Sequence, residues 1–234
     1  MNKKAGLILV YCLLGSSLFA QKQKVKNQPY GDYKIYHFGI TVGLNFQDML
    51  LTNSGLTTDN GETWYATIPN YSPGLTVGLI ADLYLNPYMN LRFSPSLSFG
   101  DKAFEFVEQE SNERFNTIVR STYLMAPLDV KIRSMRVNNY RPYVLAGAYT
   151  AIDLGIKKGD PLLLKPMNYG ITIGLGCDFY LPIIKIAPEI RFCFGLNNVV
   201  EKNRSDLTDF SLAKYSDALT KGIPRMIIFT FNFE

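Results

Sequence analysis

The sequence predicts an all-β protein: a single eight-stranded antiparallel up-and-down transmembrane β-barrel. Three observations predict this fold class. Apolar and polar residues alternate with a period of two in eight separate stretches, which is typical of strands with two different faces. Short and long connections alternate between these stretches. Although 47% of the 234 residues are hydrophobic, no apolar run reaches the roughly 18–20 residues that a spanning helix needs.

The first twenty residues have the layout of a secretory signal peptide. Two lysines precede an apolar stretch at 5–14, and small residues lead to Ala20, after which we expect cleavage. The apolar stretch is too short to cross a membrane as a helix. The chain thus divides into three predicted segments: a signal peptide at 1–20, a periplasmic N-terminal segment at 21–36, and an outer-membrane β-barrel domain at 37–234.

The first four predicted strands each carry one apolar face. From 38 to 46, the even positions are Phe, Ile, Val, Leu and Phe, and the odd positions between them are Gly, Thr, Gly and Asn. In 74–85 and 91–100, Leu, Val and Phe occupy most odd positions, opposite a face that is mainly Gly, Thr and Ser. In 123–133, Leu, Ala, Val and Ile stand opposite a face that includes Asp, Lys and Arg.

The last four predicted strands continue this pattern with one irregular member. The stretch 142–152 is small and apolar on both faces, whereas 170–181 sets Ile, Leu, Cys and Phe against Gly, Thr, Asp and Tyr. In 184–194, Ile and Phe oppose Lys, Glu and Arg, and in 227–233 they oppose Thr and Asn. Proline cannot donate to a strand ladder, so prolines inside these runs predict bulges or broken pairing. They are Pro95, Pro127 and Pro188.

The connections predict the orientation of the barrel. Long connections follow the first, third, fifth and seventh strands, and short connections follow the others. This alternation on an even strand count is typical of outer-membrane barrels, which have short periplasmic turns and long outer loops. Both termini are therefore expected in the periplasm, and apolar residues at helical spacing predict a short helix in the last long loop. The four predicted outer loops are 49–72, 101–116, 153–165 and 197–222.

The same alternation would also fit a soluble, lipocalin-like barrel with its apolar face inside. Residue size favours the transmembrane arrangement, because eight strands enclose too little space for so many Phe and Leu side chains. The polar face carries four acids and four bases, as expected where every buried charge needs a partner. The predicted lumen charge network comprises Asp82, Arg92, Asp129, Lys131, Asp178, Lys185, Glu189 and Arg191.

Aromatic residues cluster near the predicted short turns, which indicates an aromatic girdle at a membrane interface. An ordinary distribution of strand aromatics would explain their number but not their position. The residues of this predicted girdle are Tyr84, Tyr88, Tyr140, Tyr143, Phe179, Tyr180 and Phe233.

The sequence offers few groups for catalysis or for binding a metal. His37 is the only histidine, and the net charge is +4, of which two charges belong to the signal peptide. Paired carboxylates can act as acid and base, but the balanced charges favour ion pairing inside the lumen. We therefore predict no enzyme activity, cofactor, metal site or nucleic-acid partner. A lipid-modifying enzyme with a Ser-His pair that includes His37 is the alternative from another class.

Four segments resemble the PorT/SprT family of Bacteroidetes outer-membrane barrels. They are HFGI at 37–40, NNYRPY at 138–143, CDFYLPIIKIAPEIRF at 177–192 and FTFNFE at 229–234.

The resemblance implies a non-enzymatic accessory of the type IX secretion system, which exports cargo with C-terminal sorting domains, and a role in gliding motility. It implies outer-membrane lipid and other type IX components as partners. The aromatic C-terminal strand also fits the signal that the barrel-assembly machinery recognises, although Glu234 stands where such barrels end in Phe. A structural or ligand-binding barrel unrelated to secretion is the other alternative.

Overall fold

A computed structural model describes residues 25–57, 61–67, 72–109, 113–156, 162–202 and 213–234. The predicted signal peptide lies outside these residues. No helix in the described part of the chain is long and apolar enough to cross a membrane. The elements are a 3-10 turn at Gly31–Tyr33, the strands β1 (Tyr36–Asn53), β2 (Trp64–Thr67), β3 (Pro73–Asn86), β4 (Met89–Phe93), β5 (Ser96–Glu108), β6 (Arg114–Arg133), β7 (Tyr140–Asp153), β8 (Met167–Tyr180), β9 (Lys185–Gly195) and β10 (Leu219–Phe233), and the helix α1 (Ala213–Asp217).

The strands form one closed antiparallel ring with eight positions. β1 pairs with β10 on one side and with β3 on the other, which closes the barrel. From β10 the ring continues through β9, β8, β7 and β6, and the position between β6 and β3 is shared by β4 and β5. The short strand β2 is additional and pairs with the outer part of β5. The predicted eight-stranded up-and-down barrel is therefore confirmed.

The three prolines lie where the ladders are interrupted. Pro95 lies between β4 and β5, and the carbonyl oxygen of Pro127 on β6 accepts the Ser94 N–H across this break at 3.3 Å. The register between β8 and β9 lapses beside Pro188 and resumes at the pair of Phe179 with Ile186. The missing proline N–H accounts for each interruption, and this prediction is confirmed.

The apolar face of the wall points outward and the polar face points inward. Phe38, Ile173 and Phe231 are 73%, 50% and 57% exposed, whereas Asp129 and Asp178 are fully buried. This arrangement suits lipid outside and a polar lumen inside. The prediction of a transmembrane rather than a soluble barrel agrees with this burial pattern.

The polarity of the wall reverses near the outer end. Beyond Asp101, the β5 side chains Phe104 and Phe106 point inward and are buried, whereas Glu105 on the other face is partly exposed. The prediction of a long loop at 101–116 is wrong, because β5 extends to Glu108 and β6 begins at Arg114. Residues beyond the bilayer obey the rule for soluble proteins, in which apolar side chains are inside.

An apolar cluster fills this outer end, and we call it the outer cap. Tyr215 of α1 is at its centre: its ring stacks on Phe115 with centroids 4.3 Å apart and meets the Trp64 ring edge-on at 5.2 Å. The helix expected in the last long loop is thus present as α1. The buried members of the outer cap are Met49, Trp64, Ala66, Phe104, Phe106, Val119, Leu162, Leu164, Val199, Val200, Tyr215, Ala218 and Leu219.

The predicted aromatic girdle is only partly correct. Tyr88 and Tyr140 are exposed at the end with the short turns, as a girdle requires. Tyr143 and Tyr180 are buried inside the barrel instead. Their positions in the strand alternation place them on the lumen face, which nearness to a turn does not reveal.

Candidate functional site

Arg92 is the centre of the charge network inside the barrel. It lies on β4 directly opposite Asp82 of β3 and binds both oxygens of that carboxylate, at 2.6 and 2.7 Å. Its remaining donors reach Glu189 at 3.1 Å and Glu234 at 2.7 Å. One fully buried guanidinium therefore joins three carboxylates from three other parts of the wall, which is the geometry that the planar arginine fork suits.

Two further lumen bases, Lys131 and Arg191, continue the network around the ring. The Lys131 ammonium lies 2.9 and 3.0 Å from the two oxygens of Asp178. Arg191 lies 3.2 Å from Asp129 and 2.9 Å from Glu189. Every one of the eight charged residues singled out from the sequence thus lies in the lumen within ion-pair distance of a partner, Lys185 through Glu234.

Glu234 is the member of the network that sequence reasoning missed. Its backbone pairs with Lys185 at the end of the barrel, and its side chain turns inward to meet the Lys185 ammonium at 2.5 Å and Arg92 at 2.7 Å. In the sequence it stood out only as a departure from a terminal Phe. The signal that could have revealed it is position: 234 has the same parity as the lumen-facing residues 230 and 232.

Tyr143 is a second residue whose place in the charge network the sequence did not predict. Its hydroxyl donates to Glu189 at 2.8 Å, and the Lys131 ammonium lies 3.9 Å from the centre of its ring. The ring lies against Gly176, the residue directly opposite on β8, where an added Cβ would overlap ring atoms. Glycine at this position on the lumen face therefore provides room for an aromatic ring in this narrow barrel.

We expect Gly176→Ala to destabilise the barrel by about 1–3 kcal/mol, because the new methyl group displaces Tyr143 from Glu189 and Lys131. Gly174→Ala is the matched control: it lies on the same strand and the same face, and its Cβ would meet only Ile190 and Leu145 atoms at 3.1–3.4 Å. Urea unfolding in detergent micelles measures both. Equal losses for the two variants would contradict this account of Gly176.

The described residues leave two small gaps in the lumen near the network. The gap beside Arg92 has a volume of about 20 Å³, and another beside Lys102 has about 10 Å³. A water needs about 10–15 Å³, so these gaps admit about one water each. The outer cap fills the outer end of the barrel with buried apolar side chains. The network can therefore hold the strands together by ion pairing, and neither gap has room for a solute.

The N-terminal segment covers the opposite end of the barrel, and we call residues 25–35 the strap. Asp32 fixes the strap to the rim. Its carboxylate lies 3.0 Å from Arg141, 3.5 Å from Arg136 and 3.8 Å from Arg133, and it accepts a hydrogen bond from the Tyr180 hydroxyl. The predicted periplasmic segment at 21–36 thus includes a part that packs against the short turns.

His37 also contacts the strap. Its Nε2 lies 2.6 Å from the carbonyl oxygen of Gly31, and no hydroxyl of a described serine pairs with the ring. The structure therefore places this histidine beside the strap and does not bring it together with the Ser partner that the alternative enzyme hypothesis requires.

The strap should loosen in acid. Burial alone raises the pKa of Asp32, but the Tyr180 hydroxyl and the three arginines lower it more, so this carboxyl titrates below its usual value of 3.8. A group with a lowered folded-state pKa contributes its stabilisation above the unfolded-state pKa and loses it as the pH falls through the folded-state pKa. We therefore expect the strap to stay docked at neutral pH and to detach only below about pH 3.8.

Asp32→Asn imitates the protonated state at neutral pH. We expect trypsin to cleave this variant after Lys34 faster than it cleaves the unaltered protein at pH 8. Asp101→Asn, at an exposed acid on the other end of the barrel, is the control. Unchanged cleavage in Asp32→Asn would show that the strap is held by other contacts.

A family comparison agrees with this architecture. Residues 19–201 match the family described as outer membrane protein beta-barrel domain. Among solved structures, OprG from Pseudomonas aeruginosa is 11% identical with a TM-score of 0.49, covering 84% of this chain and 93% of its own. Neisserial surface protein A is 7% identical with a TM-score of 0.46, covering 85% and 98%. No curated protein sequence matches the chain.

The family match extends over most of the chain, and the strand ring, the apolar outer face and the ion-paired lumen are those of a small membrane barrel. The chain therefore belongs to the outer membrane protein beta-barrel domain family and is an outer-membrane β-barrel.

Proposed function

We propose that this barrel is a non-enzymatic accessory of the type IX secretion system, which supports export of cargo with C-terminal sorting domains. The observation that carries the proposal is where the PorT-like segments lie. Asn139 and Arg141 of the segment at 138–143 bind the strap and the turns, and Tyr180 of the segment at 177–192 binds Asp32. The segments that resemble the family thus converge on the periplasmic rim, where periplasmic partners could contact the barrel.

The closed lumen favours an accessory over a conduit. Arg92 and its three carboxylates occupy the lumen, and eight strands leave no aqueous channel once such side chains fill them. Cargo would therefore pass through another component. The function of this chain would reside in its ends, as is usual for proteins whose scaffold is rigid and whose loops and termini carry contacts.

The test is a gene deletion with complementation. We expect deletion to leave sorting-domain cargo in the periplasm, and the unaltered gene to restore its release, with cargo measured in periplasm and medium by immunoblot. An outer-membrane protein without a sorting domain is the control for general envelope damage. Normal release of cargo from the deletion strain would overturn the proposal and favour a structural or ligand-binding barrel.

The absence of enzyme activity is tested separately. His37→Ala should restore cargo release to the deletion strain and leave lipid A unchanged by mass spectrometry, because the imidazole contacts a backbone carbonyl of the strap and pairs with no hydroxyl of a described serine. A change in lipid A structure between the His37→Ala strain and the complemented strain would favour the lipid-modifying enzyme instead.

A further inference from the structure

A cavity of about 250 Å³ lies at the periplasmic rim between the strap and two short turns. The strap contributes Lys26, Asp32 and Tyr33 to its lining. The turn between β3 and β4 contributes Tyr88, and the segment between β6 and β7 contributes Arg136. A water takes up about 30 Å³ in the liquid, so this cavity can hold a considerably larger group.

The charges around this cavity are unbalanced. Three cations line it, Lys26, Arg136 and Arg141, against one carboxylate, Asp32, so the net charge of the lining is +2. Arg133 binds the same carboxylate from inside the barrel, and its buried Nε has no hydrogen-bond partner among the described residues. The lumen network, with Glu234 counted, has five carboxylates and four cations, so the positive excess is a local property of the rim and favours an anion there.

The available donors fit a phosphate. Arg136 and Arg141 are largely occupied by backbone carbonyls and Asp32, and they contribute mainly positive potential. Lys26 is exposed and forms no ion pair with a described carboxylate, which leaves its ammonium available. Tyrosine hydroxyls can add hydrogen bonds, and lysine binds phosphate as a point charge.

The position of the cavity also suits a lipid headgroup. Tyr88 is 49% exposed and Met135 is 70% exposed beside it, and tyrosines with this exposure are typical of the membrane interface. Basic pockets at that level bind anionic lipid headgroups. We propose that the rim cavity binds a phosphate group, supplied by an anionic phospholipid of the periplasmic leaflet or by a soluble phosphate.

The test compares two charge reversals in the full-length mature barrel. Lys26→Glu reverses a cation of the cavity, and Lys221→Glu reverses an exposed lysine at the outer end. After delipidation, native mass spectrometry measures retention of phosphatidylglycerol against phosphatidylcholine, and ³¹P NMR measures binding of inorganic phosphate. We expect the unaltered protein to prefer phosphatidylglycerol, Lys26→Glu to weaken this binding about tenfold, and Lys221→Glu to change it less than twofold.

Each outcome decides the proposal. If Lys26→Glu selectively loses phosphatidylglycerol binding, the bound phosphate group comes from a lipid. If it loses only the binding of inorganic phosphate, the bound group is a soluble phosphate. Equal effects of the two reversals, or no binding of either probe by the unaltered protein, would overturn the site. Heat-dependent mobility on gels verifies that both variants fold, which is expected because both lysines are exposed.

Discussion

Arg92→Met is expected to cost the barrel about 3–5 kcal/mol of unfolding free energy, because it leaves Asp82, Glu189 and Glu234 facing one another without their shared cation. Methionine preserves much of the side-chain volume, so the loss reports the charge rather than a cavity. Urea unfolding in detergent micelles or lipid vesicles measures the change, and the heat-dependent mobility shift on gels should occur at a lower temperature.

Arg114→Met is the matched control for this substitution. Arg114 pairs with Glu105 at 3.1 Å, but its side chain is 68% exposed in the outer extension of the wall. Exposed ion pairs contribute about 0–1 kcal/mol. If the two arginine variants lose the same stability, the lumen network does not hold the barrel together.

Glu234→Gln is expected to destabilise the barrel by about 3 kcal/mol. It removes the one described carboxylate within ion-pair distance of Lys185, which is buried, and one of the three that surround Arg92. The amide keeps the shape of the side chain, but its NH2 group then faces either Arg92 or Lys185, so the change removes both the charge and one acceptor. Urea unfolding measures the effect, and Glu105→Gln, which affects the exposed pair with Arg114, is the control.

Glu234→Phe separates stability from assembly. This variant extends the aromatic residues of β10 to position 234, but it places an apolar ring beside Arg92 and Lys185. We expect a less stable barrel even where the amount in the outer membrane is unchanged or higher. A Glu234→Phe barrel as stable as the unaltered one would show that the side-chain carboxylate of Glu234 does not stabilise the fold.

How much of the structure can be predicted from the sequence depends on how far apart in the chain the interacting residues lie. The eight strands, the lipid-facing side and the residues that point into the lumen depend on alternation within about ten neighbouring residues, so they can be read locally. The effect of the prolines can also be predicted locally, because a missing N–H affects only the adjacent ladders. These predictions agree with the structure.

The errors occurred where the local rule changed. Phe104 and Phe106 have the opposite parity to Leu97 and Phe99, because the wall leaves the bilayer between them and the preferred location of apolar residues reverses. The sequence pattern predicts a loop at 101–116, because the alternation of the preceding strand does not continue there. The outer cap also needs Tyr215 of α1 to meet Phe115 of β6, a contact that no periodic pattern in either segment specifies.

A period of two and a balanced set of eight charges are properties of the chain alone, and they predict a lipid-facing barrel with a charged interior. Which of these charges meet depends on the tertiary structure. Arg92 reaches Glu189 and Glu234 across 97 and 142 residues, and it does so because ring closure brings strands that are distant in sequence to opposite sides of one narrow lumen. The strap and the rim cavity depend on the same closure, which sets the first described residues against turns more than a hundred residues away.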